Sequence, residues 1–335
     1  MPLGFQSVPV LMAALVLPAG LVLPADLLAQ GNPPPIIDMH LHALPADFAG
    51  PPPSSMCVHA KRFATFDPRG AWGETFARKP EADCERVLRS PETTDEVMER
   101  TIAVLKRRNI VGVASGTLDL VRRYEERAPE RIVRGLIFDL GSWTVSPDSL
   151  RRLHETGELE VLGEVITQYE GIAPDDPRME PYWALAEELD IPVGIHLGTG
   201  PPGAPYLGSP RYRAGLNSAL TLEPVLARHP RLRVWIMHAG WPMVNDLLAM
   251  LYTYPQLHVD VAVIDYMLPR AEFYSYLQRI VDAGFGNRVM FGSDQMVWPE
   301  AIEIAIESIE SAEFLTVDQK RAILHDNAAR FLRIE

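Results

Sequence analysis

Apolar residues recur along this chain in two alternating patterns. Short apolar runs read as buried strands at Ile36–His42, Ile110–Ser115, Ile132–Phe138, Val161–Val165, Ile191–His196, Leu232–His238, Leu257–Val263 and Arg288–Asp294. Between them, apolar positions fall at helical spacing around 118–128, 147–157, 178–190, 218–229, 241–252 and 270–284, then near 299–310 and 317–332. A further helix follows residue 91. Ser90 is placed to cap it, Pro91 suits its first turn, and Val97, Thr101, Val104 and Leu105 mark one face. Thr316 and Gln319 have capping-box spacing for the last helix. Such alternation predicts a parallel sheet. Strand–helix units repeated eight times predict an α/β fold, a single-domain (β/α)8 TIM barrel with a long insertion at 43–91 after the first strand. Residues 31–335 without that insertion leave about 256, close to the roughly 250 of such barrels. The competing open sheet usually carries a Gly-rich phosphate loop after its first strand, and here that strand ends in histidines.

Composition narrows the picture. With 335 residues and 47% hydrophobic content the chain can bury a large core. Its net charge of −13 is spread along the chain, which argues against a nucleic-acid partner. Residues 1–30 read as a signal peptide: Val8 to Ala25 are almost wholly apolar, Pro18 and Pro24 interrupt the run, and small residues precede cleavage after Ala25 or Ala29. No Lys or Arg precedes the run, so an uncleaved membrane anchor is the alternative to a secreted or periplasmic protein. Beyond residue 30 no apolar stretch is long enough for a stable membrane span. Cys57 and Cys84 form no CxxC pair. Either they stay free or they close a loop of about 28 residues, restricting the unfolded chain by about 3.6 kcal/mol.

The strongest chemical signal is the first strand. Side-chain alternation puts Asp38, His40 and His42 on one face and Ile37, Met39 and Leu41 on the other. Two imidazoles and a carboxylate inside a barrel are costly unless paired or bound to a metal. A hydrogen-bonded core pair is the plain reading; two histidines converging on one divalent ion is the chemical one. Other strand ends favour the second. His196 ends the fifth strand, His238 the sixth and Asp294 the eighth, at the mouth where barrel active sites lie. Glu164 on the fourth strand shares the barrel-facing side with Leu162. Trp241, Tyr206, Arg213, Asp265 and Gln295 fall on loops near strand ends and are weaker candidates for substrate contact. Arg213 has the fork for a carboxylate, against the commoner exposed salt bridge. His59, His154, His229, His258 and His325 lack strand-end placement and read as surface or packing residues.

His-x-His on the first strand, His on the fifth and sixth, and Asp on the eighth resemble the amidohydrolase superfamily, in the amidohydrolase-related branch of hydrolases, lactonases and non-oxidative decarboxylases. The likeness covers about 36–42 and 160–335 and includes Pro192–Gly203, His229–Pro242, Phe291–Asp294 and Asn327–Leu332. It implies that His40 and His42 bind a first metal, with His196 binding or flanking one. His238 would bind a second ion or, without one, polarise the substrate. Asp294 would bind metal and shuttle the proton of the attacking water, and Asp38 would orient its neighbours. Members often bridge two ions from the fourth strand, a part open to Glu164. An arginine-paired structural carboxylate and a substrate-positioning group are the alternatives for Glu164. The implied cofactor is a divalent metal, one or two ions, zinc first with manganese or iron as alternatives. The implied enzyme is a metal-dependent hydrolase attacking a carbonyl of a lactone, cyclic amide or related ester. The alternatives are a metal-dependent decarboxylase of the same branch and a non-catalytic metal-binding barrel. The partner is a small molecule, and self-association is left open. The 43–91 insertion is either a cover over the pocket, stiffened by a Cys57–Cys84 bond, or a plain surface excursion.

Overall fold

The computed structural model describes residues 34–77 and 81–334. The expected signal peptide at 1–30 lies outside the described residues. The barrel strands are β1 (Ile36–Ala43), β4 (Ile110–Gly116), β5 (Ile132–Phe138), β6 (Val161–Val165), β7 (Val193–His196), β8 (Val234–Met237), β9 (His258–Asp260) and β10 (Val289–Met290). The other two, β2 (Ser55–Val58) and β3 (Arg86–Arg89), belong to the excursion after β1. The order β1-β4-β5-β6-β7-β8-β9-β10 is parallel throughout. Backbone bonds close the ring: Met39 N–H donates to Phe291 O at 2.9 Å, and Asp294 N–H to His40 O at 2.6 Å. The fold is a (β/α)8 barrel, as the alternating pattern predicts.

The strands that end in site residues are shorter than expected. β10 covers two residues of the predicted Arg288–Asp294, and β9 three of Leu257–Val263. The lost residues turn away because the chain leaves extended geometry at the mouth: Val263, His238 and Asp294 have φ of 58°, 56° and 45°. The first strand also departs from strict alternation. Its pairing with β4 shifts register between Asp38 and Leu41. Ile37 and Met39 join an inner cluster with Val113, Val161, Trp235, Met237 and Met290, while Leu41 joins the larger core. The expected single apolar face is therefore split by a bulge, which re-aims side chains as bulges do.

The helical layer follows its local signals. Helix α2 (Thr94–Arg107) starts later than expected, because Thr93 rather than Ser90 is the cap: its side chain accepts from Glu96 N. Ser90 Oγ instead accepts from Ser54 N at 2.9 Å, tying the two ends of the excursion. Ser146 caps α4 (Pro147–Glu155) with Pro at the first turn. Helices α3 (Leu118–Arg127), α5 (Glu180–Leu189), α7 (Val244–Thr253), α9 (Arg270–Ile280) and α10 (Ala301–Glu310) follow their predicted spans, while α6 (Glu223–Arg228) takes only the second half of 218–229, after a tighter turn at Ala219–Leu222. The Thr316–Gln319 capping box forms at α11 (Val317–Arg321), and a wider turn leads to α12 (Asn327–Leu332). From α12, Phe331 packs on Trp235 and His258, below the mouth. No described helix is long and apolar enough to cross a membrane.

The excursion has its own structure. β2 and β3 pair antiparallel, α1 (Trp72–Ala77) lies between them, and Cys57 is bonded to Cys84. It is anchored to loops beyond the carboxyl ends of three barrel strands. His59 N–H donates to Tyr266 O at 2.7 Å and Ala60 N–H to Met267 O at 3.0 Å, after β9. Trp72 Nε1–H donates to Pro202 O at 2.9 Å, after β7, and Trp298, after β10, donates to Ser54 O at 3.0 Å. Phe66 bridges the Trp72 and Tyr206 rings. The excursion thus spans the mouth and is not a detached surface loop.

Candidate metal centre

At that mouth six buried side chains converge: His40, His42, Glu164, His196, His238 and Asp294, the most exposed at 7%. Ligand atoms of three trios lie close enough to share an ion: His40, His238 and Asp294; His40, His42 and Glu164; Glu164, His196 and His238. Glu164 thus belongs to both histidine pairs. Its oxygens lie 3.7 Å from His40 Nε2 and 3.5 Å from His42 Nε2. Among the described residues no arginine pairs with it, and the arginine-paired alternative falls away there. Asp294 Oδ1 is 2.9 Å from His42 Nε2 and 3.9 Å from His40 Nε2.

Each imidazole is aimed by what faces its Nδ1. His238 Nδ1 contacts Ala262 O at 2.9 Å, His196 Nδ1 contacts Gln168 Oε1 at 2.9 Å, and His42 Nδ1 lies 3.4 Å from Ser115 O. A carbonyl oxygen only accepts, so the hydrogen sits on Nδ1 and the Nε2 lone pair faces the cluster. His40 Nδ1 faces Asp260 Oδ2 at 3.3 Å, and among the described residues neither ring nitrogen has a well-aligned hydrogen-bond partner. A fully buried imidazole placed this way among three carboxylates is consistent with a ligand of an ion. With Nδ1 donating to Ala262 O, His238 Nε2 presents an acceptor, which suits a ligand better than a donor that polarises substrate. The donor set of imidazole nitrogen and carboxylate oxygen fits zinc, manganese or iron(II).

The electrostatics agree with ligation. Burial and the neighbouring His238 push His196 down to about 3, which keeps it neutral. Burial by itself would raise Glu164, but His40, His42 and His196 outweigh it and hold the carboxyl well below its usual range. Burial would lower His40, and the carboxylates Asp294 and Asp260 reverse that, leaving it well above the ordinary imidazole value. Two negative groups around one imidazole mark a place for positive charge.

Strained backbone and small residues make room. His238 and Asp294 hold left-handed φ without being glycine, at about 1–3 kcal/mol each. A Cβ on Gly292 would come within 2.8 Å of His40 Cβ, and one on Gly198 within 2.7 Å of His238 Cβ. Asp38 orients its surroundings as expected. Its Oδ1 accepts from His40 N at 3.0 Å and Ser293 N at 2.9 Å, and Ser293 Oγ–H donates to Oδ2 at 2.6 Å.

The candidates for substrate contact take other places. The Gln295 amide is spent on one residue: Oε1 accepts from His42 N at 2.9 Å, and Nε2 donates to His42 O at 2.7 Å. Arg213 is exposed and turns to its own loop, donating to Pro210 O and Tyr212 O. Trp241 donates to Glu272 at 3.1 Å. Asp265, on α8 (Ile264–Met267), is fully buried with neither oxygen hydrogen-bonded, and burial followed by Asp38 and Asp260 holds its carboxyl well above the usual range. Tyr206 is exposed, against the excursion. His59 is buried between Leu268 O and Arg270, and His154, His229, His258 and His325 have partners away from the cluster.

Three residues with no strand-end histidine signal complete the centre. Asp260 Oδ1 accepts from His238 N at 2.9 Å and Ala262 N at 3.1 Å, while Oδ2 takes Trp235 Nε1–H at 2.9 Å beside His40. Its sequence signal was a lone carboxylate within the apolar run Leu257–Val263. Gln168 and Tyr169 sit on the turn Thr167–Glu170 after β6, where periodicity carries no signal. Gln168 Nε2 donates to Gly198 O at 3.1 Å and also meets Asn217 Oδ1.

Comparison with known proteins agrees with this geometry. An amidohydrolase family model matches residues 37–334. Gamma-resorcylate decarboxylase of Rhodococcus jostii is 24% identical over 319 residues, covering 81% of this chain and 94% of its own. A solved structure of a probable 2-pyrone-4,6-dicarboxylic acid hydrolase from Acinetobacter baumannii superposes with TM-score 0.56 at 16% identity, covering 89% of this chain and 99% of its own. A 5-carboxyvanillate decarboxylase from Sphingomonas paucimobilis gives TM-score 0.53 at 16% identity over 70% of this chain and 82% of its own. The two structural likenesses are of fold. The chain belongs to the amidohydrolase family.

Proposed function

We propose that this chain is a divalent-metal hydrolase acting on a carbonyl of a small cyclic ester, amide or related molecule. The observation that carries this reading is Glu164, a single buried carboxylate shared by the His40–His42 and His196–His238 pairs. A shared carboxylate supports two adjacent ions, with zinc the first choice. When bound, such ions supply Lewis acidity, which polarises a carbonyl and acidifies a water at neutral pH. Asp294, 2.9 Å from His42 Nε2, takes the water's proton on Oδ and passes it to the leaving atom. The four histidines hold their Nε2 atoms inward, and the excursion across the mouth keeps bulk water out. The Cys57–Cys84 bond, with the signal-like apolar sequence expected at 1–30, supports export to an oxidising compartment.

Decarboxylation is the second reading, and the comparisons favour it over hydrolysis, since two of the three relatives above are named decarboxylases. Here the same cage would grip an aromatic carboxylate, CO2 would leave, and Asp294 would deliver a proton to the carbon that lost it. One experiment separates the readings. Metal-loaded protein is given lactones, cyclic amides and hydroxylated aromatic carboxylates, and both acid release and CO2 are followed. Acid without CO2 is the expected result. CO2 evolution would replace hydrolysis by the second reading, and neither product from fully loaded protein would leave a non-catalytic barrel.

A further inference from the structure

We propose that Tyr169 is a catalytic residue of this site, donating its hydroxyl hydrogen to a substrate oxygen once His196 Nε2 is committed to a metal ion. The inference rests on the reading of His196 as a ligand and adds a group that the strand-end motif does not contain. The turn after β6 places consecutive side chains on the two nitrogens of one imidazole. Gln168 Oε1 takes the hydrogen of His196 Nδ1 at 2.9 Å, and the Tyr169 hydroxyl lies 3.3 Å from Nε2. With the ring hydrogen on Nδ1, Nε2 is the acceptor and Tyr169 the donor. That lone pair is also the one His196 offers beside Glu164 and His238. It serves either the phenol or an ion. An ion there releases the hydroxyl without moving the ring. The ring is packed on His196 at 5.0 Å and on Tyr212 at 5.4 Å, and a Cβ on Gly200 would come within 2.8 Å of the hydroxyl.

Neighbouring donors are already engaged. The Tyr212 hydroxyl lies 3.0 Å from both Gly198 O and Asn217 Oδ1 and accepts from Gly200 N, and the Gln168 amide is held by Gly198 and Asn217. The Tyr169 hydroxyl is the donor in this wall whose acceptor must change on metal loading. A hydroxyl held by packing in a part-buried wall and short of an acceptor is preorganised for an oxygen on which negative charge develops.

The test uses the mature protein loaded with cobalt(II), whose visible spectrum reports each equivalent, and methylphosphonate as a tetrahedral oxyanion probe. Tyr169→Phe should take up the same number of equivalents as wild type. Its weaker-bound cobalt should bind as tightly or a fewfold tighter, because a competitor for His196 is gone. Methylphosphonate should bind roughly tenfold or more weakly, as expected for losing one hydrogen bond to a charged oxygen. On any substrate the wild type turns over, kcat should fall about 100-fold with a smaller change in KM. Unchanged methylphosphonate affinity, a loss of cobalt affinity, or no binding of the probe by loaded wild type would each overturn the proposal. Site-specific 3-fluorotyrosine at 169 guards against misfolding of the Phe variant: its stronger donor should tighten probe binding, and no change would count against the proposal. The binding arms do not depend on turnover, so an inactive substrate panel would sink the functional reading and still leave Tyr169 to be judged.

Discussion

The two histidine pairs reach Glu164 by different routes. His40 and His42 stand two residues apart on β1, so one strand delivers both rings. His196 ends β7, and His238 stands one residue past β8 with φ at 56°. The supports differ as well. The backbone of the first pair is clamped by Asp38 at His40 N and by Gln295 at both polar groups of His42. The rings of the second pair are aimed by Gln168, from the turn after β6, and by Ala262 O, from beyond β9. Spacing along one strand thus presets the first pair, while the second depends on neighbouring loops for its direction. For a neutral imidazole, the group that takes the Nδ1 hydrogen decides where the ligand lone pair points.

Substitutions can break this comparison at three levels. Glu164→Gln strikes both pairs. Metal content measured on purified protein should fall by at least one equivalent per chain, and turnover by roughly 10³-fold, the scale of a lost acid–base or charge-stabilising group. Full metal content in this variant would mean that the pairs share no carboxylate. Asp260→Asn reaches one member of each pair, His40 by its ring and His238 by its backbone. Both ion affinities should weaken by about 10–100-fold in a competitive chelator titration, as losses of outer supports do. An effect on one ion alone would show that Asp260 supports a single pair. Gln168→Leu is the narrowest. It should weaken only the ion at His196, by about tenfold, and leave the other within error. Equal weakening of both ions would dissolve the distinction between the pairs.

The legible part of this molecule is what short-range periodicity encodes. The order of strands and most helices follow from it, as do the strand-end positions of His40, His42, His196, His238 and Asp294. Glu164 was singled out as sharing the barrel-facing side with Leu162, yet the register of β6 shifts between Leu162 and Val165, and Val161 rather than Leu162 joins the inner cluster; its role was open between ion bridge, arginine partner and substrate group. The illegible part is what lies across the barrel. Asp260 reads as one polar residue in an apolar run until β9 sets it beside His40. Gln295 looked like a substrate contact by position, yet its amide is consumed by a residue 253 positions away. Arg213 has the right fork for a carboxylate, yet two carbonyls of its own loop hold it. The bulge in β1 also escaped, because strict alternation was assumed over Ile36–His42 and a register shift is set by the partner strand.

By itself the sequence determined the alternation of strands and helices, and through it that the carboxyl ends of β1, β6, β7, β8 and the segment after β10 meet at one mouth. Those choices are local, fixed by the spacing of apolar side chains that must be buried. Only the tertiary structure decided that Glu164 serves both histidine pairs, which nitrogen of each ring faces inward, and that the 43–91 excursion crosses the mouth. Each of these is a contact between groups brought together only when the ring closes, and hydrogen-bond direction depends on distances of about 3 Å that no one-dimensional pattern carries.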